Sequence, residues 1–216
     1  MISLYNEAGN LATLATSLNR LVAEGVELII VDNGSSDDTG TVAAELIAGA
    51  KLIRVLDNQG LGSGLKVGLE QASGTYVGWL PGNGKVEPLD ILPLLELAER
   101  EGIAVKALRS GRPLGARIKT ALSAVAQSLA VGMRVRDTGG TPTVIPARMV
   151  PAMLEGPDGY AFETFSLIVA KRSGVHVRRV PVQLGNRKNG ESHWQRGLRS
   201  ELRLLMNLLR HARSWR

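Results

Sequence analysis

Apolar positions in the first hundred residues fall into short blocks separated by helical spacings, and this alternation predicts repeating strand and helix units. Residues 2–4 read as a short strand; Leu11, Leu14, Ala15, Leu18, Leu21 and Val22 then recur on one face of a helix. VELIIVD (26–32) is a continuous apolar run ending in an acid, as a strand buried on both faces would be. The polar turn NGSSDDT follows, offering Ser and Asp caps to a helix that starts near Thr39. KLIRVL is a third strand, GLGSGLKVGLEQA a glycine-rich turn and helix, and TYVGWL a fourth strand. A helix over 89–101 and a strand at 103–107 complete this half.

The pattern changes after residue 110. Residues 116–131 form a helix with small residues, TPTVIP a short strand, and 162–171 a helix. GVHVRRVPVQL alternates in period two, the signature of a half-exposed strand. Over 194–213 a basic amphipathic helix aligns Leu198, Leu202, Leu205, Met206 and Leu209, with Arg196, Arg199, Arg203 and Arg210 largely elsewhere. Packing on the domain and lying on an acidic lipid surface both fit that helix. The whole predicts a single α/β domain, a mainly parallel twisted sheet flanked by helices.

Composition narrows the chemistry. With no cysteine among 216 residues there is no disulfide framework, thiolate metal site or cysteine nucleophile. His176, His193 and His211 lack metal-ligand spacing. The net charge of +6 conceals a division: residues 1–100 hold 6 basic and 13 acidic residues, and 101–216 hold 20 and 7. A basic second half favours an anionic partner. Nucleic acid is not expected, because aromatics for stacking are few and only Trp194 and Trp215 are tryptophans of that half. No signal peptide or spanning apolar run is visible, so the expected location is cytoplasmic, peripheral at the inner face of a membrane if the last helix docks there.

The cluster GLGSGLKVG (60–68) meets neither common nucleotide fingerprint. Its glycines do not give G-x-G-x-x-G, and Lys66 is followed by Val rather than the Ser or Thr of a P-loop. A helix start open to a phosphate or ribose and simple tight packing both remain. Asp32, at the carboxyl end of a central strand, and YNE (5–7), leaving the first strand at the same edge, together outline a nucleotide pocket.

In this order, YNEAGNL, IIVDNGSSDDT, NQGLGSGLKVGLEQASGTYV, RDTGGTPTVIPARMV, GYAFETFSLIVAKRSGVHVRRVPV and NRKNGES resemble the family 2 glycosyltransferases, especially the polyprenyl-phosphate sugar synthases. The resemblance implies a GT-A fold over 1–216, with a nucleotide-binding half (1–107), an acceptor-side half (108–193) and the C-terminal helix (194–216). It implies an inverting transfer from a nucleotide-diphosphate sugar to an acceptor such as a polyprenyl phosphate. Tyr5, Glu7 and Asp32 match the family's nucleotide positions, and Gly60, Lys66 and Asn83 its donor-side loops. Arg109, Arg112 and Arg117 match the basic positions before the long middle helix; Arg187, Gly190 and Ser192 match the R-x-x-G-x-S loop near the phosphates. Planar guanidinium forks suit phosphate oxygens.

One motif departs. The family's D-x-D, with Gln two residues later, falls on PGNGK, so the two acids become Pro81 and Asn83 and the Gln becomes Lys85. Those acids hold a divalent ion against the diphosphate, and such ions prefer carboxylate oxygens. The second acid of DDGS is Asn33, and a Glu usual in the helix at 162–171 is Phe165, leaving Glu163. Three outcomes fit: Lys85 supplies the cation's charge, the domain binds donor with little turnover, or another acid such as Asp57 or Glu87 holds a metal. The sequence therefore requires no cofactor, and Mg or Mn is doubtful. Asp137 and Glu163 are the candidate bases for a hydroxyl acceptor, whereas a phosphate acceptor needs none.

Overall fold

A computed structural model of the chain describes residues 1–185 together with Arg187, Asn189, Leu202, Met206 and Asn207. The predicted helix at 194–213 and Ser192 therefore lie outside the described residues, apart from Leu202, Met206 and Asn207. The first half alternates as its apolar pattern predicts: β1 (Ile2–Leu4), α1 (Ala8–Ala23), β2 (Ile29–Asn33), α2 (Thr39–Leu46), β3 (Lys51–Val55), α3 (Leu61–Glu70), β4 (Tyr76–Pro81) and α4 (Ile91–Glu101). β5 (Ala104–Ser110), α5 (Leu114–Val131), β6 (Thr143–Pro146), α6 (Val150–Leu154), α7 (Ala161–Arg172) and β7 (Val177–Gln183) follow.

The seven strands form one sheet in the order β3-β2-β1-β4-β6-β5-β7. The pairs β1–β2, β2–β3, β1–β4 and β5–β7 are parallel, while β6 runs antiparallel to both β4 and β5. The sheet is thus mainly parallel, as expected, with one reversed strand in its middle. Apolar clusters fill both faces. Ile30 packs with Ile2, Leu4, Leu11 and Leu18 on one side, and Ile29 and Val31 pack with Trp79 and Phe162 on the other. Successive strand residues face opposite ways, so a strand covered on both sides needs an unbroken apolar run, which explains VELIIVD.

β5 shows where pattern and structure diverge. The predicted strand 103–107 continues to Ser110, because all seven of its residues pair with β7, and this carries Arg109 on the strand itself. Val105 and Ala107 join one core cluster and Ala104 the other, so alternation sends Lys106 into the second core beside Trp79. At the predicted cap of α2, Asp38 makes no side-chain cap bond; Asp37 Oδ1 accepts from the Thr39 backbone N–H at 3.0 Å instead.

Candidate active site

A cavity of about 390 Å³ opens at the carboxyl ends of β1, β4 and β5, where open parallel sheets leave a crevice between diverging loops. Tyr5, Glu7 and Asn83 line it from the donor side expected from sequence. Lys85, Arg109, Arg112 and Arg187 supply its cations, and Glu7 and Glu163 are the carboxylates among the described lining residues.

The edge of the cavity at Tyr5 and Glu7 is built by hydrogen bonds between loops that are distant in sequence. The Asn6 and Glu7 backbone N–H groups donate to Ser35 Oγ (3.0 Å) and Thr39 Oγ1 (2.9 Å), and Ser36 N–H donates to Asn6 Oδ1 at 2.8 Å. The loops after β1 and β2 therefore converge, as YNE and Asp32 suggested. Glu7 Oε2 accepts from Asn10 Nδ2 at 2.6 Å and from an Arg187 guanidinium nitrogen at 2.7 Å. Asn189 closes the contact: its N–H donates to Asn10 Oδ1 and its side-chain amide to Gly9 O. Residues 180 positions apart thus place a guanidinium beside Glu7 at the cavity edge.

The loop after β4 carries the departure from the D-x-D pattern. Pro81 has no side-chain ligand, and Asn83 Oδ1 already accepts from the Lys85 backbone N–H at 3.2 Å. Gly185 N–H donates to Lys85 O at 2.8 Å, tying this loop to the segment after β7. The Lys85 ammonium has no hydrogen-bond or ion-pair partner among the described residues. No group of three or more His, Asp or Glu side chains able to hold a metal ion occurs among them either. A divalent ion would meet one occupied amide oxygen and a lysine here, so the donor set does not fit it. Asp57 and Glu87, the nearest other acids, do not line the cavity.

Both candidate bases are engaged, Glu163 on the cavity lining and Asp137 outside it. Asp137 Oδ1 accepts from Arg109 Nε at 2.8 Å and also from its Nη2, while Oδ2 accepts from the Arg109 backbone N–H at 3.0 Å. Burial alone would raise the Asp137 carboxyl, but the hydrogen bonds and charge of Arg109, with Arg112 nearby, hold it below the usual carboxylate range. Glu163 Oε1 accepts from Trp79 Nε1 at 2.9 Å, and Oε2 pairs with the Lys106 ammonium. That ammonium also donates to Thr143 Oγ1 at 2.9 Å and lies 5.7 Å from the Trp79 ring centre. Lys106 and Glu163 are almost wholly buried. Burial pushes the lysine's pKa down, and the Glu163 carboxylate opposes that shift.

Asp137 makes a pH prediction. A carboxyl whose folded-state pKa lies below its unfolded value adds stability at neutral pH, and that contribution fades as pH falls through the folded-state pKa. Wild-type protein is expected to lose stability below the ordinary carboxylate range, and Asp137→Asn to be less stable at neutral pH with a shallower acid decline. Urea melts from neutral to acid pH check this; equal slopes for the two proteins would exclude the effect.

Several predicted residues stand elsewhere. Asp32, Gly60, Lys66, Arg117 and Asp137 do not line the cavity. Asp32 is buried at the end of β2, accepting from Ser35 N–H at 3.1 Å with Arg54 3.9 Å away. Lys66 bonds Asp158 at 2.6 Å and Gly156 O at 3.0 Å. The glycine cluster fills tight contacts: a Cβ on Gly62 would lie 2.1 Å from Pro157 O, one on Gly64 2.1 Å from Ser3 Oγ, and one on Gly60 2.5 Å from Asp158 O. Packing accounts for these glycines without a phosphate.

Trp79, Lys106, Tyr160 and Asn33 were not singled out as site residues by sequence. Trp79, Tyr160 and Asn33 line the cavity, and Asn33 Oδ1 is buried with no partner among the described residues. A lysine at a core-facing position of β5 was the one signal available, and it needed the strand's facing to be read.

Residues 1–129 match Glycosyl transferase family 2. The chain is 28% identical over 194 residues to an uncharacterized protein of Methanocaldococcus jannaschii, covering 82% of this chain and 83% of that one. It is 27% identical over 203 residues to the undecaprenyl-phosphate 4-deoxy-4-formamido-L-arabinose transferase of Yersinia pestis, covering 90% of this chain but 61% of that protein. Its fold is similar to glucosyl-3-phosphoglycerate synthase of Mycobacterium tuberculosis, solved with Mn2+, UDP-glucose and phosphoglyceric acid. The TM-score is 0.74 at 22% identity, over 99% of this chain and 77% of that one. The strand order, the crevice at the sheet's carboxyl edge and a match running from β1 through most of α5 lead to one assignment: the chain belongs to glycosyl transferase family 2, with the GT-A fold.

Proposed function

We propose that the protein transfers a sugar, with inversion, from a nucleotide-diphosphate sugar to a phosphorylated acceptor, a polyprenyl phosphate in the first instance, and does so without a metal ion. The observation that carries this reading is the Lys85 ammonium, without a partner among the described residues, on a cavity-lining loop that holds no carboxylate between Pro81 and Lys85. In the proposed step an acceptor phosphate oxygen forms a bond to the anomeric carbon. The bond from that carbon to the donor's diphosphate breaks, and the diphosphate leaves with the electron pair. Lys85 offsets the charge that develops on it, the role the family pattern gives to a divalent ion.

The acceptor class follows from the bases. A hydroxyl nucleophile needs a carboxylate free to take its proton, yet Asp137 is held by Arg109 and Glu163 by Lys106 and Trp79. A phosphate oxygen arrives anionic and needs neither; Arg109, Arg112 and Arg187 offer it guanidinium partners. Asn33 Oδ1, without a partner among the described residues, adds an acceptor for a donor hydroxyl, since a buried oxygen left unbonded costs about 1–3 kcal/mol. The name of the Yersinia transferase, which this chain spans in part, agrees with a lipid phosphate.

A second reading, a donor-binding domain with little turnover, draws on the same engaged carboxylates. Thermal unfolding with a panel of nucleotide-diphosphate sugars, with EDTA or manganese, separates the two when paired with a transfer assay. The expected result is a shift of a few degrees that EDTA leaves unchanged, accompanied by transfer. Binding with no transfer under any metal condition would establish the second reading, and transfer restored only by manganese would overturn the metal-free step.

A further inference from the structure

Glu163 lines the cavity although the residue is only 3% exposed. Lys106, 1% exposed, does not line the cavity and pairs with that carboxylate from the core. The ammonium is fixed by its other neighbours. It donates to Thr143 Oγ1 at 2.9 Å, the Thr143 hydroxyl donates onward to Gly140 O at 3.2 Å, and the Trp79 ring centre lies 5.7 Å from the ammonium. Its charge is therefore kept at Glu163 Oε2. Packing does not require such a pair, because apolar residues of similar volume in its place are often as stabilising or more so. Glu7, the other carboxylate among the described lining residues, is also held by a cation, Arg187 at 2.7 Å.

We propose that Lys106 selects the acceptor: by holding Glu163 in an ion pair it keeps a cavity carboxylate from serving as a base, so that water and hydroxyls are passed over in favour of a phosphate oxygen. This rests on the reading of a nucleotide-diphosphate sugar donor. Water is the competitor that such a donor meets in an open cavity. In hydrolysis a water oxygen forms the bond to the anomeric carbon and its proton passes to a carboxylate oxygen, while the bond to the diphosphate breaks and the diphosphate leaves with the electron pair. That proton needs a base. A carboxylate whose charge is met by an ammonium has little affinity for a proton, and one buried without a cation has much more. The Trp79 N–H, donating to Oε1 at 2.9 Å, acts in the same direction. Lys106 is thus a positioning residue that works through Glu163. A phosphate oxygen is unaffected, because it brings no proton to be removed.

Release of free sugar from UDP-glucose and from GDP-mannose, with no acceptor present, tests the proposal on the full chain. Lys106→Met and Lys106→Gln are expected to raise hydrolysis over wild type by about tenfold to a hundredfold, the lower range of what a positioned base contributes. Lys106→Gln keeps an N–H donor for the carboxylate without the charge, and so supplies the measurement if the methionine variant does not fold. Lys106→Met combined with Glu163→Gln has no carboxylate to release and is expected to lose the gain. A purely structural lysine would lower activity along with stability and would never raise hydrolysis. No gain in a folded Lys106 variant overturns the proposal, and so does an equal gain in the double variant. Donor-induced thermal shifts on the same proteins keep the two readings apart. A retained shift without the gain removes acceptor selection alone, whereas no shift with either donor and no transfer by wild type removes the donor reading and this inference with it.

Discussion

Lys85→Ala lowers transfer by about a hundredfold to a thousandfold, the loss expected when one preorganised group facing a developing negative charge is removed. The fold is expected to survive, because the Lys85 side chain is only half-buried and has no partner among the described residues. Its backbone N–H and C=O, which bond Asn83 and Gly185, are kept by the substitution. Loss in kcat with little change in donor affinity indicates action on the leaving diphosphate, whereas a rise in KM alone would place Lys85 in ground-state binding. Lys85→Arg preserves charge but changes its reach, so partial recovery is expected. Activity of the alanine variant equal to wild type in EDTA would remove Lys85 from the reaction.

The largest stability effect is expected at the buried pair. Lys106→Met leaves Glu163 buried with Trp79 as its remaining side-chain partner, and Glu163→Gln leaves the ammonium uncompensated; each is expected to cost about 3–5 kcal/mol. The double variant removes both charges together and is expected to recover most of that loss, because its core no longer holds an unpaired ion. Trp79 donates to the carboxylate at 2.9 Å and packs edge-on against Phe162, so its fluorescence follows the same cycle. Urea melts of the four proteins give the coupling energy directly. Additive losses would show that the two groups do not act as a unit.

Alternating blocks of apolar residues made the order of strands and helices legible, since burial on both faces of a parallel sheet demands continuous apolar runs such as VELIIVD. The reversed β6 was legible as a strand but not in direction, because a four-residue apolar run carries no record of which neighbour it will pair with. The expectation that Arg187 lies near the phosphates came only from the family motif. Its bond to Glu7, 180 positions away, depends on the closing of the fold.

The glycine cluster shows the same limit, since GLGSGLKVG fitted both a phosphate approach and tight packing until Pro157 O, Asp158 O and Ser3 Oγ were found where its Cβ atoms would stand. What the sequence by itself determined is the fold class, the family and the exchange of Pro81, Asn83 and Lys85 for the metal-holding pattern, all of which rest on residue identity and local spacing. Tertiary structure alone decided that Asp137 and Glu163 are held by cations, that Lys106 is a core residue, and that the Lys85 ammonium has no partner among the described residues. The physical reason is that partnership and burial are properties of groups brought together from distant parts of the chain, and one-dimensional spacing does not encode which charges will meet.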